Sequence, residues 1–221
     1  MDKFDGQSSQ MIKNLVLGIM AGIIVGFGAT VMLIVENQYL GAFLFAGALF
    51  IILSLKYSLF TGMVGYFFYK EKSSYSKQLI IVLLGNLIGT FVMANLMRLT
   101  RIGPILIPKA QALCATKLDD GYLSVFLLGI FCNMFVTNAT HQFKYNPYQV
   151  GKYLAIFISI MTFALSGFEH SIANSFFLFA SGIYSKEALI FFAIVLLGNI
   201  IGGLIIPTVA LFYDENFHLP G

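Results

Sequence analysis

The chain has 221 residues, of which 58% are apolar and only 10% charged, with a formal net charge of +3 and a mean hydropathy of +0.86. A soluble surface is about a quarter to a third charged, so this chain cannot clothe a globule in water and is expected to live in lipid. The composition excludes a disordered chain and, with only Cys114 and Cys132, a disulfide-built scaffold; the small, scattered charge argues against a nucleic-acid partner.

Six apolar runs follow in order. The first, about Met11 to Val35, is ended by Glu36-Asn37-Gln38. The second starts near Gly41 and reaches about Tyr69, interrupted by Lys56-Tyr57-Ser58. The third is about Leu79 to Met97 and the fourth about Tyr122 to Ala139. The fifth, about Tyr153 to Ala180, is interrupted by Ser166-Gly167-Phe168-Glu169-His170-Ser171, and the sixth covers about Ala188 to Tyr213. A helix needs about 20 residues at 1.5 Å rise to cross roughly 30 Å of hydrocarbon. Four runs fit that length directly. The second and fifth are too long for one clean span and carry polar residues at mid-run, so each predicts two half-helices around a break.

The first run is longer than a signal-peptide core, so no removable targeting segment is expected. With the N-terminus inside, Lys3, Lys13, Lys70, Lys72, Lys77, Lys144 and Lys152 fall on the cytoplasmic side. Arg98, Arg101, Lys109 and Lys186 fall on the other, and Lys56 and Lys117 lie at or near membrane depth. The positive-inside rule then places both termini in the cytoplasm.

The chain repeats itself. Leu83-Leu84-Gly85-Asn86-Leu87-Ile88-Gly89 returns as Leu196-Leu197-Gly198-Asn199-Ile200-Ile201-Gly202 at an offset of 113, and Leu17-Gly18-Ile19 returns as Leu128-Gly129-Ile130 at an offset of 111. The same shift carries Thr61, in the first break, to the neighbourhood of His170 and Ser171 in the second. Three spans per half is an odd number, so the second copy enters the membrane from the opposite side. The expected fold is an all-α membrane protein, a single domain of two inverted three-span repeats, about 11–97 and 119–213, whose broken second and fifth helices meet near the midplane. Unwound backbone in lipid is tolerated only against protein or a wet cavity. Gly62, Gly65 and Gly167 are expected to supply the backbone freedom, and the half-helix N-termini, partially positive, to point at the path and favour an anion.

Glu169-His170 is the sharpest local feature. An ionisable side chain at membrane depth costs about 2.5–3.5 kcal/mol on insertion scales and marks a pathway or proton relay. Histidine gains and loses a proton near neutrality; the bland alternative is a buried neutral ring with both nitrogens satisfied by backbone. Glu169 fits a structural anchor that accepts hydrogen bonds from unwound backbone. The Thr61 hydroxyl is placed to donate to His170 or to a passing anion. Asn86, Asn133 and Asn199 are amides in apolar spans, where most serve as interhelical glue, and Lys117 precedes the fourth span at one mouth. Among 23 phenylalanines, a few are expected to form constrictions that exclude water. His141, His218 and the cysteines lack metal-ligand spacing, and no nucleophile order or phosphate loop occurs. No metal, no cofactor and no enzyme activity are expected.

Gly167-Phe168-Glu169-His170-Ser171-Ile172-Ala173-Asn174 resembles the characteristic segment of the formate/nitrite transporter family, whose members are pentameric channels with an aquaporin-like protomer. Leu59-Phe60-Thr61 resembles that family's loop within the second span, and both Gly-Asn-(Leu/Ile)-Ile-Gly segments fall where the family has them. The resemblance implies a central pore histidine at His170 contacted by a loop threonine at Thr61. It implies a vestibule lysine at Lys117, sixteen residues before the fourth-span Asn133, and a sixth-span asparagine at Asn199. It implies constrictions at Phe45, Leu49, Phe60 and Phe163. Ser58 stands where the family often has an acidic residue, Lys56 is an unusual charge, and Met63 replaces a small polar residue; these departures surround the selectivity loop.

The resemblance implies a homopentameric channel in a prokaryotic-type cytoplasmic (inner) membrane that moves a small anion of a weak acid, such as formate, nitrite or hydrosulfide. Lys117, and Lys56 near the loop, are expected to draw the anion in. A proton passed through His170 would neutralise it at the apolar rings, where bare charge is badly solvated; equally, a cationic His170 would let the anion pass unprotonated. The alternative is a neutral-solute pore of aquaporin or glycerol type. That predicts paired Asn-Pro-Ala boxes at the breaks, which are absent, and flux independent of pH.

Overall fold

The computed structural model describes residues 2–213, with side chains described from 9 to 210. His218 therefore lies outside the described residues, and the side chain of Lys3 lies outside the described side chains. Nine α-helices are described: α1 (Asp2–Ile34), α2 (Gln38–Ser54), α3 (Phe60–Met63), α4 (Lys72–Arg98), α5 (Gly103–Leu118), α6 (Tyr122–Tyr145), α7 (Gln149–Leu165), α8 (Ser171–Ser181) and α9 (Lys186–Tyr213). A 3-10 helix, Val64–Tyr69, continues α3.

Four helices, α1, α4, α6 and α9, are long and apolar enough to cross a bilayer. They extend past the apolar runs into polar residues such as Lys72, Ser73 and Gln142, because an α-helix goes on closing its hydrogen bonds where side chains meet the interface. The second and fifth runs are each divided in two, α2 from α3 and α7 from α8. The polar interruptions read in the sequence lie in those divisions, except that Ser171 already opens α8.

The two most extensive helix pairings are α1 with α4 and α6 with α9. Both are glycine seams. A Cβ on Gly85 would meet the Leu15 carbonyl oxygen at 2.7 Å, and one on Gly198 would meet that of Phe126 at 2.5 Å. One turn on, Gly89 abuts the carbonyl of Ile19, and Gly202 that of Ile130. Small residues let backbones touch, and in lipid, where burial of apolar surface offers little, such contact is what holds helices together. The large side chains point away: Ile80, Leu84, Ile88 and Phe91 form one exposed stripe on α4.

The short helices cross between halves. The α8 helix packs on α4 and α5, the 3-10 helix on α9, and α2 on α7. Ser171 through Leu178 is buried at every position, which fits a helix at the centre of a bundle.

Two expectations change. Gly62 and Gly65 do not relieve backbone strain, since neither has a positive φ. They leave room: a Cβ at either would come within 2.9 Å of the methyl of Thr140 or Thr137. The left-handed residue of the first break is Lys56, with φ 57°. The second change is α5, in a stretch for which the apolar runs predict nothing. It buries Leu106, Ala110 and Cys114 against its neighbours and carries Lys117 inward.

Candidate functional site

Both breaks are built alike. At the end of α2, Lys56 N–H donates to Leu53 O at 3.2 Å and Tyr57 N–H to Ile52 O at 2.9 Å. At the end of α7, Gly167 N–H donates to Ala164 O at 3.4 Å and Phe168 N–H to Phe163 O at 3.0 Å. Each is the bond pair of a Schellman motif, which needs a left-handed residue and usually takes glycine. Gly167 meets the need at φ 71°. Lys56 meets it at a cost of about 1–2 kcal/mol for its Cβ.

The unwound backbone is then satisfied from the long helices. Ser58 N–H reaches Leu17 O at 3.3 Å, and Glu169 N–H reaches Leu128 O at 3.2 Å. The Asn86 amide accepts from Phe60 N–H at 2.8 Å and donates to Gly18 O at 2.8 Å and Ser58 O at 2.9 Å. The Asn199 amide accepts from Ser171 N–H and donates to Gly129 O and Glu169 O, each at 2.8 Å. Leaving such groups unpaired in lipid costs several kcal/mol each. One asparagine per break removes that cost.

His170 is the N-cap of α8, its Nδ1 accepting from Ala173 N–H at 3.1 Å. With Nδ1 an acceptor, the ring proton sits on Nε2, which lies 2.9 Å from Thr61 Oγ1. The imidazole therefore donates to threonine, the reverse of the direction expected from the sequence. A second ring proton would require Nδ1 to release Ala173. The Phe163 ring stacks on His170 at 5.8 Å and 14°, and Phe45 meets Phe163 edge-on at 5.9 Å. Phe45, Leu49, Phe163 and His170 line one small cavity of about 20 Å³, room for about one water molecule. Phe60 does not line it; it opens α3, buried, with its N–H held by Asn86.

Glu169 turns the other way. Its carboxylate pairs with Lys117 Nζ at 2.5 Å and accepts from Asn174 Nδ2 at 2.7 Å. Its partners are side chains, whereas the sequence pointed to unwound backbone. Asn133 donates to Asn199 O at 2.6 Å, and its own Oδ1 is buried without a partner. Neither Asn133 nor Asn199 lines the small cavity. Lys56 lines a wider one of about 470 Å³ on the α3 side, together with Lys144, Tyr66 and Phe143. Ile52 and Leu59 belong to both walls. Lys144, at the end of α6, was read from the sequence only as a cytoplasmic charge. Its distance from Lys56 in the chain gave no local signal of a shared cavity. Its Nζ sits 5.0 Å above the Tyr66 ring and 5.1 Å from that of Tyr145.

Comparison with known proteins agrees with this architecture. A solved structure described as a pentameric formate channel with formate bound superposes with a TM-score of 0.74 at 25% identity, over 93% of this chain and 96% of that one. The transporter YrhG of Bacillus subtilis is 33% identical over 146 residues, covering 62% of this chain and 54% of that protein. The matched stretch thus spans about half the length of that relative. The formate channel BtFdhC of Bacillus thuringiensis is 32% identical over 99 residues, 43% of this chain and 38% of that one. All three are transporters or channels and not enzymes. The family model described as Formate/nitrite transporter matches residues 5–213, and the chain belongs to that family of integral membrane proteins.

Proposed function

We propose that the chain is a transmembrane channel for the small monovalent anions of weak acids, of the formate, nitrite and hydrosulfide class. In this reading it assembles as a homopentamer in a prokaryotic-type cytoplasmic membrane with both termini inside. Each chain is a single channel domain of two inverted three-span repeats, about 11–97 and 119–213. The family match and the likeness to a pentameric formate channel support the class of solute and the assembly. The matched bond circuits of Asn86 and Asn199 support the repeat.

The observation that carries the reading is the 2.9 Å bond between Thr61 and His170. It joins the two breaks beside a ring of Phe45, Leu49 and Phe163. An anion reaching that ring loses most of its hydration, and a bare charge in such surroundings is costly. The Nε2–H of His170 and the Thr61 hydroxyl offer donors in line. A proton taken up first at Nδ1 from the entry side, in exchange for its bond from Ala173 N–H, makes the ring a cation. Its Nε2–H then passes to Thr61 as that hydroxyl gives its own proton to the conjugate base. This leaves His170 neutral and a neutral acid that crosses the apolar ring at little cost and releases the proton on the far side.

His170→Asn tests the role, because asparagine is a good N-cap and keeps α8 started while removing the titratable ring. In proteoliposomes, formate flux is expected to fall about a hundredfold, in the range set by general acid–base catalysis, and to lose its variation across pH 5 to 8. A variant with the parent's rate and pH profile would show that no proton passes through this ring.

A further inference from the structure

We infer that Lys56 and Lys144 form an anion-collecting site in the wide cavity beside the first break, taking a small monovalent oxyanion or carboxylate. The inference rests on the anion-channel reading above and assigns that reading's capture step to one mouth. The cavity holds about 470 Å³ and has two lysines and no acidic side chain in its wall. Its wall shares Ile52 and Leu59 with the His170 cavity, so an ion held there is next in line for the constriction. Lys117 offers no such field, because Glu169 pairs with it directly.

Two features of Lys56 mark it as more than a surface lysine. It occupies the left-handed position that Gly167 takes in the matching break. Glycine would sit there without strain, so the side chain is retained against the preference of the backbone. It also interrupts an apolar run too long for one clean span, and a charged side chain within a span is stable only toward water or a counter-ion. Lys144 stands over the faces of Tyr66 and Tyr145, which fix its ammonium without cancelling its charge. Tyr57, Tyr66 and Phe143 supply low-dielectric walls, and such walls strengthen the field of the two cations on an entering anion.

The test uses full-length protein in proteoliposomes with formate as the probe, initial rates being measured over a concentration series at low and at high salt. Lys56→Gly relieves the left-handed strain, so its unfolding midpoint is expected to rise. Its half-saturating formate concentration is nevertheless expected to rise by about three- to tenfold, the loss of one nearby charge, with a flatter salt dependence. Lys144→Met shifts both in the same direction, and Lys56→Arg keeps the parent's values. A lysine with only a structural part to play would leave Lys56→Gly more stable and equally easily saturated. If both Lys56→Gly and Lys144→Met keep the parent's half-saturation and salt dependence while the parent moves formate, the site is overturned and the channel reading stands. A parent that moves no formate, nitrite or hydrosulfide overturns the channel reading, and the site with it.

Discussion

Lys117 and Glu169 meet from 52 residues apart, with side chains only 13% and 5% exposed. Each is buried because of the other, and Asn174 takes up further acceptor capacity on the same carboxylate oxygen. Removing one partner of such a pair leaves a desolvated charge and costs about 3–5 kcal/mol, whereas replacing both with neutral groups of similar volume is often harmless. Lys117→Met and Glu169→Gln are therefore each expected to lower the unfolding midpoint in detergent, and the double variant to recover most of the loss. Single variants that melt with the parent would show the pair to be dispensable. The pairing was not legible in the sequence, where Lys117 read as a free cation at a mouth. Periodicity says nothing about partners that a separate helix brings together. Thr61 and His170 were easier to connect, since His170 fell in a polar interruption of an apolar run, Thr61 followed the other by three residues, and a similar offset related the two.

At the scale of elements, the glycine seams decide whether the long helices can pair. A Cβ on Gly89 would be driven onto the Ile19 carbonyl oxygen, a backbone atom that cannot swing aside. Overpacking of a well-filled contact costs about 1–3 kcal/mol even where side chains can yield, and more is expected here. Gly89→Ala, and its counterpart Gly202→Ala against Ile130, should each yield little monodisperse protein in size-exclusion chromatography. Gly47→Ala, with open space at its Cβ, should behave like the parent; an equal loss there would mean that alanine harms these helices for some reason other than the seam. The seams were half visible beforehand, as the two Gly-Asn-X-Ile-Gly segments in register. The breaks were visible too, because a run too long for one span with charges at its middle has few other readings. The α5 helix was not. Pro104, Pro108, Lys109, Gln111 and Lys117 dilute its apolar character to that of a connecting loop, and what makes it a helix is the surface of α8 and α4 that it covers. The left-handed lysine was equally hidden, since sequence reasoning assigns such a position to glycine.

For the whole molecule, what matters is that the small cavity is closed by one chain. Val25 comes from α1, Phe45 and Leu49 from α2, Val136 from α6, Ile160 and Phe163 from α7, and His170 from the break before α8. No second copy is needed to complete this ring. If five copies assemble, each carries its own constriction, and a path along the five-fold axis would have none of these residues in its wall. The two arrangements differ in how flux responds to mixed subunits. Parent and His170→Asn chains, mixed in known ratios before assembly and reconstituted together, are expected to give formate flux proportional to the fraction of parent chain. Half parent chain then gives half the flux. A path along the five-fold axis, lined by none of these residues, would instead leave the flux at the parent's level whatever the ratio. A flux indifferent to the ratio would place conduction between protomers, and the ring around His170 would then be a packed core whose histidine is there to start a helix.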